Sequence, residues 1–423
     1  MIYVGNPSCG NSCVQHRIPD DAISPANAGV PCVFASHRGQ GVESSCDPLR
    51  GTAKTVQPAF RLDLREASGA LGDLGTLLPL MLGAIAVGGL SAQPVLAGFA
   101  VFYAATALVY RLPVPVQPMK AIAALLLVGA ATPVSVALAG AIIGGVLILL
   151  AITGWAARLA RLVPQSVLAG LQLGLGIALG LLAIRLMGTA PVAGLLSLTC
   201  VAALLWAGLP AALLFLAAAL PLGLALDLPG IALAAPEETA LAATVQQLVL
   251  PQLSLTLTNA ILLTALVAKD CWGEAARDVT PKRLALTSGI ANLCLAPLGA
   301  LPMCHGAGGV TAHHRFGART GAAPLMLAAA LLAVALVPGA PDLLAHIPAA
   351  ALGALLMIAA VDLAAQKRIV DCKPSCRPVI AVTALATVVV DPFIGLVVGT
   401  AAEAIRVAVV RRLYGKSDRA FRS

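Results

Sequence analysis

Long stretches of this chain carry almost no charge, and this feature restricts its fold more than any other. Between Leu162 and Asp227 the only ionisable residues are Arg185 and Cys200. Over all 423 residues, 11% are charged and 59% are hydrophobic, whereas soluble domains carry about 25% charged residues. Apolar runs of about 20 residues, the length that crosses a bilayer, recur along the chain. The polar residues are too few to cover a soluble protein, so we predict an all-α integral membrane protein.

About fourteen apolar segments can be counted, and they predict a multi-pass protein. They begin near Gly69, Gln93, Pro113, Pro133, Val163, Pro191, Pro210, Pro251, Leu284, Leu301, Ala322, Leu343, Pro378 and Pro392. The lipid bilayer is therefore the surrounding medium of most of this chain.

The charges between these segments predict their orientation. Basic residues concentrate in alternate loops: Arg61 and Arg65; Arg111; Arg158 and Arg161; Lys269, Lys282 and Arg283; Arg315 and Arg319; Lys367, Arg368, Lys373 and Arg377; Arg411 and Arg412. Because basic loops stay in the cytoplasm, both termini are predicted to be cytoplasmic, in the cell (plasma or inner) membrane. Arg185 is the exception to the alternation. The net charge of +8 comes from these short loops, so it does not indicate nucleic-acid binding.

The first 60 residues differ from the rest. They are rich in Gly, Ser, Pro, Asn and Cys and lack the apolar core of a signal peptide. We interpret residues 1–60 as a disordered leader, or as sequence upstream of the true start codon. A short basic cytoplasmic tail, residues 413–423, ends the chain. Neither the cysteines nor the histidines form a convincing metal-ligand pattern, and His313 and His314, beside Arg315, are expected to be solvated.

Two segments interrupted by Pro or Gly occupy corresponding places in the chain. Pro113–Lys120 reads PVPVQPMK, and Pro302–Gly309 reads PMCHGAGG. Lys120 and His305 are 185 positions apart, and Asp73 and Asn259, in the polar segments that precede them, are 186 apart. Seven segments separate equivalent elements, so the halves are predicted to have opposite orientations. Paired broken segments are the best sequence indication of a transporter's binding site.

This pattern predicts a seven-plus-seven inverted repeat. The predicted divisions are a first repeat at 61–226, an extracytoplasmic loop at 227–250 and a second repeat at 251–412. Within the first broken segment the prolines remove backbone donors and prevent a helix before about Met119. A helix that begins there offers free N–H groups and its positive dipole end to an anion. The glycines of the second segment let backbone N–H groups approach a ligand.

Three ionisable residues stand in this otherwise apolar setting. Burying Lys120 at mid-helix costs roughly 2.5–3.5 kcal/mol on insertion scales, so it requires a partner: Asp73, an anionic substrate, or interfacial water reached by snorkelling. His305 can donate to an oxyanion, carry a coupling proton or serve only in packing. Asp73 is a partner for Lys120, a proton-coupling carboxylate or a helix cap. Uncharged donors on the matching segment bind substrate or only bridge helices: Gln252, Thr256, Thr258 and Asn259.

These motifs resemble the two signatures of the molybdate transporter family, which is related to the sulfate permeases. The resemblance covers about residues 61–412 and is carried by Gly72–Thr76, Pro115–Ala123, Pro251–Asn259, Pro302–Gly309 and His314–Gly321. It implies a core domain that holds the site and a gate domain beside it, without the C-terminal regulatory domain common among sulfate permeases. The substrate-binding residues expected from the motifs are Asp73, Thr76, Gln117, Met119, Lys120, Thr258, Asn259, Cys304, His305, Gly306, Gly308 and Gly309. Asp73 and His305 are also the expected coupling residues.

The function expected from these observations is secondary active uptake of a tetrahedral oxyanion, molybdate before sulfate, with proton coupling as one option. A nucleobase permease or a passive anion channel on the same fold is the alternative. Nucleobase carriers would be expected to have carboxylates where this chain has Asn259 and His305. The segments contain no catalytic triad, paired carboxylates or metal triad, so we expect neither an enzyme nor a cofactor. A homodimer is kept open as the oligomeric state.

Overall fold

The described part of the chain is almost entirely helical. A computed structural model describes residues 60–226, 240–339, 343–344 and 346–420. The predicted leader, apart from its last residue, and the first part of the predicted loop at 227–250 lie outside these residues. The helices of the first half are α1 (Leu64–Ala70), α2 (Leu74–Ala86), α3 (Ala92–Tyr110), α4 (Lys120–Leu127), α5 (Pro133–Thr153), α6 (Ala156–Leu162), α7 (Gln165–Met187), α8 (Pro191–Trp206) and α9 (Ala211–Ala225).

The second half continues in the same way. Its helices are α10 (Leu241–Ala243), α11 (Leu250–Leu255), α12 (Thr264–Trp272), α13 (Pro281–Leu295), α14 (Ala307–Arg315), α15 (Ala322–Leu336), α16 (Ala349–Ala364), α17 (Lys367–Val370), α18 (Arg377–Val389) and α19 (Pro392–Ala420). Short 3-10 segments occur at Leu71–Asp73, Gly273–Asp278, Ala296–Leu298 and Pro374–Cys376. The π-helical segments are Thr244–Val249 and Thr256–Leu263.

Within the described residues, six continuous helical stretches are long and apolar enough to cross a membrane: Leu64–Ala86, Ala92–Tyr110, Pro133–Thr153, Gln165–Met187, Leu241–Asp278 and Pro392–Val410. Five further apolar helices are shorter: Pro191–Trp206, Ala211–Gly223, Ala322–Leu336, Ala349–Ala364 and Pro374–Val389. The composition thus produces the helical membrane architecture that the charge-poor stretches predict.

The eighth segment begins earlier than expected. Its helix begins at Leu241, whereas the sequence predicts a start near Pro251 and a loop before it. Proline lacks an N–H donor and clashes with the preceding helical turn. Here the turn before Pro251 is π-helical, and Leu250 N–H donates to the Val245 carbonyl, five residues back. This wider turn accommodates the proline, so the helix continues through it.

The two broken segments meet as a short antiparallel pair of strands. Strand β1 (Gln117–Pro118) pairs with β2 (Met303–Cys304), with Gln117 opposite Cys304. Because the strands are antiparallel, the half-helices α4 and α14 that follow them leave the crossing in opposite directions. Extended backbone at this depth requires hydrogen-bond partners within the protein, and the crossing supplies them.

Small residues bring the helices around this crossing into close contact. On α7, a Cβ at Gly174 would lie 2.6 Å from Cβ of Thr387 on α18. On α5, a Cβ at Gly144 would lie 2.8 Å from the Gly289 carbonyl oxygen on α13. Such contacts are typical of helix packing in membranes, where van der Waals contact replaces the hydrophobic effect. They position α7, α5 and α13 around the broken segments.

Candidate functional site

A small cavity of about 20 Å³ lies beside the crossing of the broken segments. Its walls come from both halves of the chain: Gln117, Lys120, Gln172, Gln252, Leu255, Thr256, Asn259, Ala260, Cys304, His305 and Leu363. Of the predicted site residues, the structure brings Gln117, Lys120, Asn259, Cys304 and His305 together here. Asp73, Gly306 and Gly309 support this wall from behind. Thr76, Met119, Thr258 and Gly308 do not line the cavity.

Lys120 is the first residue of α4, and its half-buried side chain lies at the cavity wall. The suggested ion pair with Asp73 is not formed: within the described residues, the ion pairs are Arg277–Asp278, Arg283–Asp278 and Arg406–Glu403. Lys120 therefore forms no direct ion pair within the described residues, and its positive charge lies at the cavity wall, next to the N-terminus of a half-helix. Both features favour an anion.

Asp73 is buried behind this wall and is bound by Gln117. The Gln117 Nε2 group donates to both carboxylate oxygens of Asp73, at 2.7 and 2.9 Å. Asp73 is 3% exposed. Sequence alone suggested a charged partner for Asp73, but the amide is nearer because β1 runs directly past the start of α2. The carboxylate thus orients Gln117 and makes no direct contact with Lys120.

Two glycines of the second broken segment make room for this pair. A Cβ at Gly306 would overlap Oε1 of Gln117, and one at Gly309 would lie 2.6 Å from Oδ2 of Asp73. At Gly308, by contrast, a Cβ would meet nothing within 4 Å. The motif therefore needs glycine at 306 and 309 for packing, and not at 308.

We expect Gly306→Ala to lower the rate of substrate uptake at least about tenfold, because the added methyl group displaces Gln117 from the wall; overpacking of this kind costs about 1–3 kcal/mol. Gly308→Ala is the matched control and should retain the unmodified rate. Initial uptake rates in proteoliposomes compare the two variants. Equal rates would contradict this role for Gly306.

The N-terminus of α4 is already bound by a side chain. The Ala121 N–H donates to Oε1 of Gln252 at 2.8 Å, and Nε2 of Gln252 donates to Oγ1 of Thr256 at 2.9 Å. Gln252 therefore joins the first half-helix to the second polar segment. It occupies one of the backbone donors that were expected to face the substrate.

The π-helical segment Thr256–Leu263 shapes the same wall. Within it, the Asn259 carbonyl accepts a hydrogen bond from the Thr264 hydroxyl at 3.0 Å, five residues ahead. Single π-turns in helices are frequent at functional sites because they redirect side chains. Here Thr256 and Asn259 line the cavity.

His305 ties the two broken segments together. Its Nδ1 lies 2.9 Å from the Pro115 carbonyl oxygen, and its Nε2 lies 2.8 Å from Oγ1 of Thr287. A carbonyl only accepts, so Nδ1 donates, and in the neutral ring Nε2 accepts from the Thr287 hydroxyl. Tyr110 extends the chain with its hydroxyl 2.8 Å from Oγ1 of Thr287. Both ring nitrogens are thus engaged within the protein.

Asn292 holds β2 in place from α13. Its Oδ1 accepts from Met303 N–H at 2.7 Å, and its Nδ2 donates to the Met303 carbonyl at 2.5 Å. The side-chain amide thereby imitates a neighbouring strand for extended backbone that would otherwise lack partners. Asn292 was not among the predicted residues, although an Asn inside an apolar segment is the signal that could have indicated it.

Gln172 on α7 is the main cavity residue that the sequence reasoning missed. It is 2% exposed, lines the cavity, and its Oε1 has no hydrogen-bond partner among the described residues. A lone Gln in the apolar run of α7 was the available signal. Gln172 and Lys120 line the same cavity from α7 and α4. Helix α7 packs beside the crossing against α16, which carries the cavity residue Leu363.

His313 also differs from expectation. It is fully buried instead of solvated, and its Nδ1 lies 2.7 Å from the Gly69 carbonyl oxygen. The α14 helix turns this residue toward α1, while the neighbouring His314 remains partly exposed.

A family described as "Molybdate transporter of MFS superfamily" matches residues 65–179 and 244–363, which together contain both broken segments. The chain belongs to this molybdate transporter family. The resemblance expected from the motifs is thereby confirmed, and the chain is a transporter and not an enzyme. Family members similar to this chain include Molybdate transporter 1 of Arabidopsis thaliana, 28% identical over 74% of this chain and 82% of that protein. Molybdate transporter 2 of the same plant is 27% identical over 77% and 82%.

Solved structures show the fold of this family member. The transmembrane domain of the cyanobacterial bicarbonate transporter BicA aligns with a TM-score of 0.59 at 18% identity, covering 80% of this chain and 98% of that domain. Murine Slc26a9, an anion transporter in an inward-facing state, aligns with a TM-score of 0.60 at 12% identity, covering 83% and 69%. The chain is therefore an all-α multi-pass membrane protein with the SLC26/BicA-like fold.

Proposed function

We propose that this chain is a secondary active transporter that takes up molybdate. The observation that carries the proposal is the cationic Lys120 at the wall of a cavity between two oppositely directed half-helices. Membership of the molybdate transporter family and the names of its plant relatives support molybdate over other oxyanions.

The cavity position suits alternating access. We assign α1 to α5 and α10 to α15 to a core domain, and α7 to α9 and α16 to α19 to a gate domain. The core contributes Lys120 and Gln117 to the cavity, and the gate contributes Gln172 and Leu363. A substrate bound at such a boundary is exposed to either side when one rigid body rocks against the other.

The helix contacts support the seven-plus-seven inverted repeat and, with it, fourteen membrane segments. In that repeat α3 corresponds to α13, and α5 corresponds to α15. In the structure α3 packs against α15, and α5 packs against α13. When each helix is replaced by its counterpart in the other half, the first contact becomes the second. In the gate, the contacts of α7 with α18 and of α16 with α8 are related in the same way. Combined with the alternation of basic loops, an even number of segments supports cytoplasmic termini on both ends of a chain in a cell membrane.

For coupling, Asp73 is the better of the two predicted residues. Its carboxylate is buried, and among the described residues it accepts hydrogen bonds from the neutral amide of Gln117. His305 has both nitrogens in use. A proton on Asp73 would break the bidentate contact with Gln117 and so alter the cavity wall, which links protonation to substrate binding.

Purified protein in proteoliposomes tests the proposed function. We expect saturable molybdate uptake that accumulates against a gradient and collapses when the proton gradient is dissipated. Sulfate, with the same charge and shape, is the competitor of choice because it measures selectivity at the same site. Absence of uptake of both anions would overturn the proposal, and uptake without accumulation would identify a channel.

Gln172→Leu is expected to weaken molybdate affinity about tenfold, because a hydrogen bond to a charged group contributes roughly 1.5–3 kcal/mol. The amide can present its Nε2 to the bound oxyanion from the gate side. Gln165→Leu, at the exposed start of the same helix, is the matched control. Binding titrations in detergent compare them, and an unchanged affinity in Gln172→Leu would exclude a contact with substrate.

A further inference from the structure

A second and larger cavity, about 340 Å³, is separate from the one beside the crossing. Its lining includes Leu125 and Val128 of α4, Arg185 of α7, Gln247, and Thr387 and Asp391 near the junction of α18 and α19. None of these residues has a role in the proposed site.

The two cavities follow one another along the same pair of helices. On α4, Lys120 lines the first cavity and Ala124, one helical turn further along, lines the second. On α7, Gln172 lines the first cavity and Leu175, less than one turn further along, lines the second. Arg185 lies a further 10 residues along α7, about 15 Å at 1.5 Å per residue. The second cavity therefore extends the seam between core and gate away from the central site.

A thin apolar layer separates them. Leu175 and Leu125 are 2% and 6% exposed, and both contribute to the wall of the second cavity. Apolar constrictions of this kind close a pathway by excluding water. The arrangement is that of a vestibule closed at its inner end.

Arg185 gives the vestibule its cationic character. It is exposed, lies in the last turn of α7 and makes no hydrogen bond or ion pair with another described residue. The C-terminal end of the α7 dipole interacts favourably with a positive charge, which explains why an arginine is found in the last turn of this helix. The dipole does not explain why Arg185 lines a cavity. It is also the residue that departs from the alternation of basic loops, which makes a charge on this side of the membrane exceptional.

The other charged group of the vestibule is engaged elsewhere. Oδ1 of Asp391 accepts from Ile394 N–H at 2.8 Å and so caps the start of α19. Gln247, from the core side, is half-buried and lines the same cavity. A guanidinium can bind two oxygens of a tetrahedral oxyanion at once, and the amide of Gln247 can supply a further donor.

We propose that this vestibule is a second oxyanion site, on the extracytoplasmic side, where Arg185 binds the tetrahedral anion before it passes Leu125 and Leu175 to Lys120. The inference rests on the proposed function and adds a place of first capture. Attraction to the exposed guanidinium raises the association rate of an oppositely charged ligand. Arg185 thus affects the rate at which anions reach the central site and not their binding or transport at that site.

The test is molybdate uptake by proteoliposomes with Arg185→Gln, Arg185→Lys and, as a control for net charge, Lys373→Gln in an exposed loop. We expect Arg185→Gln to raise KM at least about threefold with the maximal rate unchanged, and Arg185→Lys to recover most of the loss. Raising the ionic strength should increase KM in the unmodified protein and much less in Arg185→Gln. An unchanged KM in Arg185→Gln, or an equal change in Lys373→Gln, would overturn the vestibule.

Arginine-selective modification by phenylglyoxal, read for each peptide by mass spectrometry, gives an independent measurement. Molybdate should slow the modification of Arg185 but not that of Arg277. The same protection of Arg185 should be seen in Lys120→Ala, in which binding at the central site is weakened. Equal modification with and without molybdate would overturn the second site even when transport is intact. Absence of transport by the unmodified protein would instead overturn the proposed function, so the two failures are distinguishable.

Discussion

Replacing Lys120 with alanine is expected to weaken oxyanion binding at least about tenfold, or about 1.4 kcal/mol. The side chain provides the cation of the central cavity wall, and it makes no direct ion pair with Asp73, whose carboxylate accepts from Gln117. A dianion that loses this partner keeps only neutral donors. Lys120→Arg should be intermediate, since it keeps the charge but presents a planar fork instead of a compact ammonium.

The control for this prediction is Lys269→Ala. Lys269 is an exposed lysine near the end of α12, so its removal changes the net charge equally without touching the cavity. Isothermal titration of detergent-purified protein with molybdate measures both affinities. Binding of unmodified strength in Lys120→Ala would remove Lys120 from the site.

His305→Ala is expected to cause a loss of similar size, at least about tenfold in affinity, but through position and not contact. The ring joins Pro115 of the first broken segment to Thr287 of α13, and it packs 5.2 Å from the ring of Phe102 between centroids. Without it the buried Pro115 carbonyl loses its donor, which costs roughly 1–3 kcal/mol. The crossing that places Lys120 and Gln117 then loosens.

His305→Asn separates the two roles of this residue. Its amide can still donate to the Pro115 carbonyl, so affinity should recover partly if His305 acts by position. His314→Ala, at a partly exposed neighbour on α14, is the matched control for loss of an imidazole. Thermal unfolding of each variant in detergent checks that the fold is intact. Unmodified affinity in folded His305→Ala would contradict this role.

The sequence predicted the broken segments well because Pro and Gly act locally. Three closely spaced prolines, Pro113, Pro115 and Pro118, prevent a helix here, and the structure has extended backbone there with α4 starting at Lys120. The opposite orientation of the two halves was expected because seven segments, an odd number, separate equivalent elements. The long apolar runs with few charges indicated the class of protein, because a bilayer leaves few architectures available.

Other features depended on distances that a sequence does not contain. Opposite charges suggested that Lys120 pairs with Asp73, but the register of β1 brings the Gln117 amide to that carboxylate instead. Gln172 was missed because a single amide in an apolar helix often only bridges helices. The early start of the eighth segment was missed because a π-turn accommodates Pro251, and sequence reasoning treated the proline as a start.

The most direct test of the central claim is one binding titration with molybdate and sulfate on the same detergent-purified protein, repeated with Lys120→Ala. The account predicts saturable molybdate binding at one high-affinity site, competition by sulfate at higher concentration, and at least about tenfold weaker molybdate binding in the variant. Absence of saturable binding of either anion, or equal affinity with and without the lysine, would contradict it.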